Sequence, residues 1–153
     1  MDNRSKTKNI QIFKEKLRRS NLKITSQRLA VHEAMLQLGH ACADMVCEYI
    51  EKEGKQKITV ASVYNILAQM ALLGIYHHRL SSNNKMYFDV NTFKHIHIYD
   101  TENNSYTDLV DDSLYAEIES KLAGRRFKGY RVDGYDIQIL VHPSSRRKVQ
   151  PQQ

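Results

Sequence analysis

Apolar residues recur at helical spacing along the first half of the chain and at alternate positions along much of the second. Ile10, Phe13 and Leu17 lie three and four residues apart with basic residues between them, which predicts a short helix over 10–19 with a charged outer face. Thr25 is a suitable N-cap for a helix over about 26–38, with Val31, Ala34, Met35 and Leu38 as its apolar stripe and Gly39 at its end. A third helix is expected near 42–53, turning Val46, Tyr49 and Ile50 inward and stopping at Gly54. Cys42 and Cys47 on such a helix would point about 140° apart, so they read as buried small hydrophobes and not as a disulfide. Thr59 caps a fourth helix that runs to Gly74, with Val63, Ile66, Leu67, Met70 and Leu73 on its inward stripe.

The period then changes to two. Residues 75–80 and 85–90 are strand-like runs around Ser81-Ser82-Asn83-Asn84, and helices followed by such a hairpin make a winged helix. Residues 94–99 alternate again, the polar Thr101–Asn104 cluster marks a turn, and 105–110 form a second alternating run. Closing that hairpin on Glu102-Asn103 sets Asp108 directly across from His97. Leu114, Ile118 and Leu122 mark a helix over 112–123 ended by Gly124, and a final strand is expected over 128–142 with Ile137, Ile139 and Val141 alternating. One helix on three strands is too small to bury a good core alone, so this part should pair with a second copy. The expected fold class is α+β, with an N-terminal winged helix-turn-helix domain (1–88), a hinge (89–93), a small α/β dimerisation domain (94–142) and a flexible polar tail (143–153).

Charge sharpens the division. The 153-residue chain carries a net +6, with 41% hydrophobic and 26% charged residues, values ordinary for a globular protein. Residues 1–28 hold nine Lys and Arg against two acids, whereas residues 98–120 hold seven acids and no Lys or Arg. That asymmetry points a basic surface at a polyanion, with Arg18, Arg19, Lys23 and Arg28 as its candidates. No apolar run approaches the roughly 20 residues of a membrane span, and the basic start lacks the apolar stretch of a secretory signal, so a cytoplasmic location is expected.

Two stretches carry candidate chemistry. In 94–99, period two puts His95 and His97 on one face and Ile96 and Ile98 on the other; Asp108 joins the imidazoles, and Asp89, six residues before His95, can bend in as a fourth ligand. Mixed N and O donors suit Fe, Mn, Zn, Co or Ni better than Ca or Mg. The bland reading is two exposed histidines on an edge strand. The fourth helix turns Ala61, Ser62, Tyr64, Asn65, Ala68 and Gln69 away from its apolar stripe, which are small hydrogen-bonding groups suited to a DNA major groove, with Arg79 or Lys85 of the wing at phosphates. A helix buried on both sides would look similar.

The ordered set K-I-T-S-Q-R-L (23–29), G-H-A-C-A-D (39–44), T-V-A-S-V-Y-N-I-L (59–67), L-L-G-I (72–75) and the H-x-H hairpin resembles the ferric uptake regulator family over residues 10–142, most of all its peroxide-sensing repressors. The resemblance implies a homodimeric repressor of metal homeostasis or peroxide stress genes. Such a repressor binds double-stranded operator DNA when one divalent metal per subunit, Fe2+ or Mn2+ with Zn2+ as an alternative, occupies the hinge. It also implies the ligand set His40, Asp89, His95, His97 and Asp108; His40 enters on this ground alone. His40 and His95 are the positions where peroxide would oxidise a ligand. The chain departs from the family where structural zinc is held by two C-x-x-C pairs: Asp100 and Asn103 stand at the first, and the second falls near Pro143 and Arg146, so no structural zinc is expected. Tyr115 and Tyr135 likewise stand where a further site would need an acid and a His. A small metallohydrolase is the rival from another class, but five protein ligands leave no open position for water, and no Ser/His/Asp set, phosphate loop or H-E-x-x-H occurs. A winged helix used only to bind other proteins would lack salt-dependent DNA affinity.

Overall fold

The computed structural model describes the backbone of residues 3–144 and the side chains of residues 9–144, so most of the expected tail and the side chains of Arg4, Lys6 and Lys8 lie outside the described residues. The chain divides into two compact units, the first ending at Thr92 and the second beginning at Phe93.

The first unit contains α1 (Asn3–Arg19), α2 (Ser26–Leu38), β1 (His40–Cys42), α3 (Ala43–Glu53), α4 (Val60–Leu72), β2 (His77–Leu80) and β3 (Met86–Asp89). The helix starts follow from their caps: the Thr25 and Thr59 hydroxyls accept from the backbone N–H of Arg28 and Ser62, satisfying donors that the first turn leaves over. Gly54 stops α3 in the left-handed region at φ +64°, where a side chain would be strained. Phe13, Leu17, Val31, Met35, Val46, Ile50, Val63, Leu67 and Met70 fill a single core, so the helical stripes close on one another as their spacing required. Leu73 is the exception: it falls past the end of α4 and is exposed.

Three further differences matter. Helix α1 begins at Asn3, not residue 10, because Asn3–Asn9 holds no proline or glycine to stop it. Residues 40–42 form a strand, and α3 starts at Ala43, so Cys42 lies outside the helix expected from 42. Both cysteines are buried and free. The small sheet is antiparallel in the order β1-β3-β2, so the wing strand β3 is flanked by β2 and by this short strand.

The second unit contains β4 (Ile96–Asp100), β5 (Ser105–Leu109), α5 (Asp112–Ala123) and β6 (Gln138–Val141), with sheet order β5-β4-β6. The β4–β5 hairpin has the expected register, His97 opposite Asp108, although its connection spans Thr101–Asn104. The Asp111 carboxylate accepts from the Leu114 backbone N–H and starts α5. The expected strand over 128–142 shrinks to four residues parallel to β4. Gly129, at φ +83°, interrupts the extended backbone before it, and Arg131, Asp133 and Asp136 put charge where pairing would bury it. Among the described residues no helix is long and apolar enough to cross a membrane.

Candidate metal centre and nucleic-acid interface

Of the five candidate ligands, the first unit holds two. Gly39, at φ +70°, ends α2 and turns the chain so that His40 opens β1 directly opposite Asp89 on β3. His40 Nδ1 stands 3.5 Å from Asp89 Oδ2, and both side chains are buried. The other carboxylate oxygen accepts the Asn91 backbone N–H at 2.7 Å, which fixes the orientation of Asp89. The same register sets His77, which is exposed, across from Asp89 on the other side.

The second unit holds the other three. His97 and Asp108 are cross-strand partners, and His95 lies one residue before β4 begins. The two imidazoles meet at 67° with centroids 4.4 Å apart, and both are buried. One oxygen of Asp108 is their common neighbour, 3.3 Å from His95 Nε2 and 3.8 Å from His97 Nδ1. His95 Nδ1 lies 2.6 Å from the Phe93 carbonyl oxygen, which can only accept; Nδ1 therefore donates to it, and Nε2 is the nitrogen that faces Asp108.

The donor set suits a transition metal. Each of these three side chains offers a ligand atom within 4.8 Å of the others, close to the spread of donors around a single ion bonded at about 2.0–2.2 Å. Burying two imidazoles against one carboxylate is also costly unless that charge meets a cation. The bland reading of exposed edge-strand histidines does not hold, because His95 and His97 are each only 6% exposed. Sequence reasoning passed over Asp136, whose Oδ1 lies 3.9 Å from His97 Nε2; its V-D-G-Y-D context was taken as the interior of a long strand.

Where zinc thiolates would stand, the carboxylate of Asp100 closes the hairpin turn, accepting from the backbone N–H of Glu102 and Asn103 and from Asn103 Nδ2 at 2.9, 3.1 and 2.7 Å. The Asn103 bonds hold the Asp100 carboxyl below the usual carboxylate range. The chain's only cysteines, Cys42 and Cys47, lie in the first unit. At the further site, the Tyr115 hydroxyl donates to the Tyr135 carbonyl at 2.9 Å, and Lys94 binds both Glu119 oxygens at 2.7 and 2.9 Å.

The candidate DNA-contacting residues divide by what they already do. Ala61, Tyr64 and Asn65 are exposed on α4, with Tyr64 edge-on to Phe88. Ser62 is half-buried in the cap with Thr59, and Gln69 accepts from the Arg28 guanidinium at 3.0 Å, tying α2 to α4. Arg28 also donates to the Lys23 carbonyl. Lys85 on the wing pairs with Asp44 at 2.9 Å, and that carboxylate raises the lysine above its ordinary range. Arg18, Arg19 and Lys23 are exposed, and Arg79 is half-buried.

The sequence matches the model of the ferric uptake regulator family over residues 19–137, most of its length. The chain belongs to that family. Its members are metal-responsive, DNA-binding transcription regulators and not enzymes, which sets the metallohydrolase reading aside. Among solved structures, the Vibrio cholerae ferric uptake regulator is similar at a TM-score of 0.70 and 19% identity, covering 84% of this chain and 98% of that one. A zinc uptake regulator complexed with zinc and DNA gives 0.60 and 15%, covering 90% and 92%. The Campylobacter jejuni peroxide stress regulator gives 0.58 and 24%, covering 89% and 96%. At these identities the likeness is one of fold. No curated protein matches the chain.

Proposed function

We propose that the chain is a cytoplasmic, homodimeric transcriptional repressor of metal homeostasis or peroxide stress genes. One divalent transition metal per subunit, Fe2+ or Mn2+ with Zn2+ as the alternative, joins His40 and Asp89 of the first unit to His95, His97 and Asp108 of the second. Metal ligation selects the arrangement in which the α4 helices of a dimer meet two operator half-sites, because only that arrangement supplies every ligand to one ion. The observation that carries this reading is the buried pair of imidazoles converging on one Asp108 oxygen. Support also comes from the buried His40–Asp89 pair, from the exposed Tyr64 and Asn65 on α4, and from the relative solved with both zinc and DNA.

The direct test is metal binding. Titration of the chelator-stripped protein with Mn2+ should give one tight ion per subunit, and His97→Ala should lose it by more than the ~10–100-fold that removal of a residue merely orienting a ligand costs. Tight binding retained in His97→Ala refutes the assignment. Peroxide sensing is tested separately: the iron form exposed to peroxide should gain one oxygen on His40 or His95, read by peptide mass spectrometry. An iron form that keeps both residues unmodified and still binds DNA is a metal sensor only.

A further inference from the structure

We propose that Asp136 is a positioning residue that fixes the His97 imidazole for metal binding. An imidazole that binds a metal must offer the lone pair of one nitrogen while the other donates its proton, and the partner of that second nitrogen decides which is which. For His95 the Phe93 carbonyl holds Nδ1–H and leaves Nε2 toward Asp108. His97 is turned the other way round: Nδ1 faces Asp108 at 3.8 Å, and Nε2 faces Asp136 at 3.9 Å. The two rings thus present opposite nitrogens to the same carboxylate oxygen, and each has a separate acceptor behind it.

Strand β6 puts Asp136 there. The His97 backbone N–H donates to the Ile137 carbonyl at 2.9 Å, and His97 pairs with Gln138 in the parallel ladder, so the residue preceding Ile137 is held beside the ring. At 3.9 Å the contact is electrostatic; a bridging water or a small side-chain rotation converts it to a hydrogen bond. Asp136 does not serve as a ligand of the same ion, because it and Asp108 lie off opposite nitrogens of one ring. Among the described residues it joins no cluster of metal-ligating side chains.

The inference rests on the metal-binding reading above and is tested on the full-length, chelator-stripped protein with Co2+. Affinity is read by competition with a colorimetric chelator, and coordination by the visible absorption of the bound ion. Asp136→Ala should weaken Co2+ binding by ~10–100-fold, with the band positions and intensities of the wild type. Asp136→Asn, whose amide oxygen still accepts from Nε2–H, should recover part of that loss. The metal-free variants should melt at the wild-type temperature. Unchanged affinity in Asp136→Ala overturns the inference, as does a spectrum showing a changed ligand count, which would make Asp136 a ligand. An equal loss in both variants together with a lowered melting temperature of the metal-free forms marks a purely structural role and overturns it too. A wild-type protein that fails to bind Co2+ removes the metal-binding reading itself, whereas binding that ignores Asp136 removes only its positioning role.

Discussion

The two units are built to different standards of self-sufficiency. The first closes four helices on a continuous apolar core, from Phe13 and Leu17 through Leu67 and Met70. The second buries Ile96, Tyr99, Tyr106 and Tyr115 but leaves Phe127, Tyr130, Ile139 and Leu140 open to solvent, the last two on its own strand β6. Exposed apolar groups of this kind on so small a unit mark a surface meant to be covered. On the proposed reading the contrast separates two tasks: the first unit holds α4 in place, and the second meets a second copy and presents His95, His97 and Asp108 to the ion.

The contrast breaks first in the core. Leu67→Ala should cost about 2–5 kcal/mol in urea unfolding, because Leu67 is fully buried in the core, whereas Leu140→Ala should cost well under half of that. Equal costs would mean that the second unit is as well packed as the first.

Acid should act on the same side of the contrast. His32 is buried against Phe13, stacked at 3.9 Å between centroids, with its Nδ1 2.7 Å from the Tyr76 hydroxyl. Burial, with the Lys16 charge assisting, lowers its pKa from 6.5 to about 4. Between those values the unfolded chain takes up a proton that the folded chain refuses. The stability His32 preserves is therefore complete above pH 6.5 and is lost as pH falls toward 4, by on the order of 3 kcal/mol. Unfolding midpoints measured from pH 7 to pH 4 should show this fall, and His32→Gln should flatten it.

The smallest effect belongs to the open face. Tyr130→Ser with Leu140→Ser should raise the dimer dissociation constant by roughly tenfold, equivalent to about 1.4 kcal/mol, while leaving the far-ultraviolet circular dichroism unchanged. Sedimentation that shows the same dissociation constant would place the dimer contact elsewhere.

What could be read from the sequence follows the same division. Thr25 and Thr59 announced α2 and α4 because a cap is a local interaction, and centring the hairpin on Glu102-Asn103 set His97 opposite Asp108 because a short turn determines the register of the strands it joins. Strand β1 escaped notice: three residues carry no period, and only pairing with β3 makes them a strand. Its pairing is what gives His40 its place opposite Asp89, so His40 entered the candidate ligand set by resemblance and not by pattern. Asp136 escaped because its contact with His97 depends on β6 lying parallel to β4, a nonlocal fact, and because the strand around it was drawn too long. Gln69 and Lys85, which looked like groups held out for DNA, are joined to Arg28 and Asp44 by partners 41 residues away in sequence.

The central claim is that one ion, held by side chains of both units, governs DNA binding. The most direct test takes an operator selected from random duplexes in the presence of Mn2+ and measures its affinity for the wild type and for His97→Ala, with Mn2+ and after chelation. The wild type should lose at least ~10-fold on chelation, within the 5–150-fold range of ordinary allosteric coupling, and regain it when Mn2+ is restored; His97→Ala should bind at the chelated level throughout. Equal wild-type affinity with and without metal would contradict the claim.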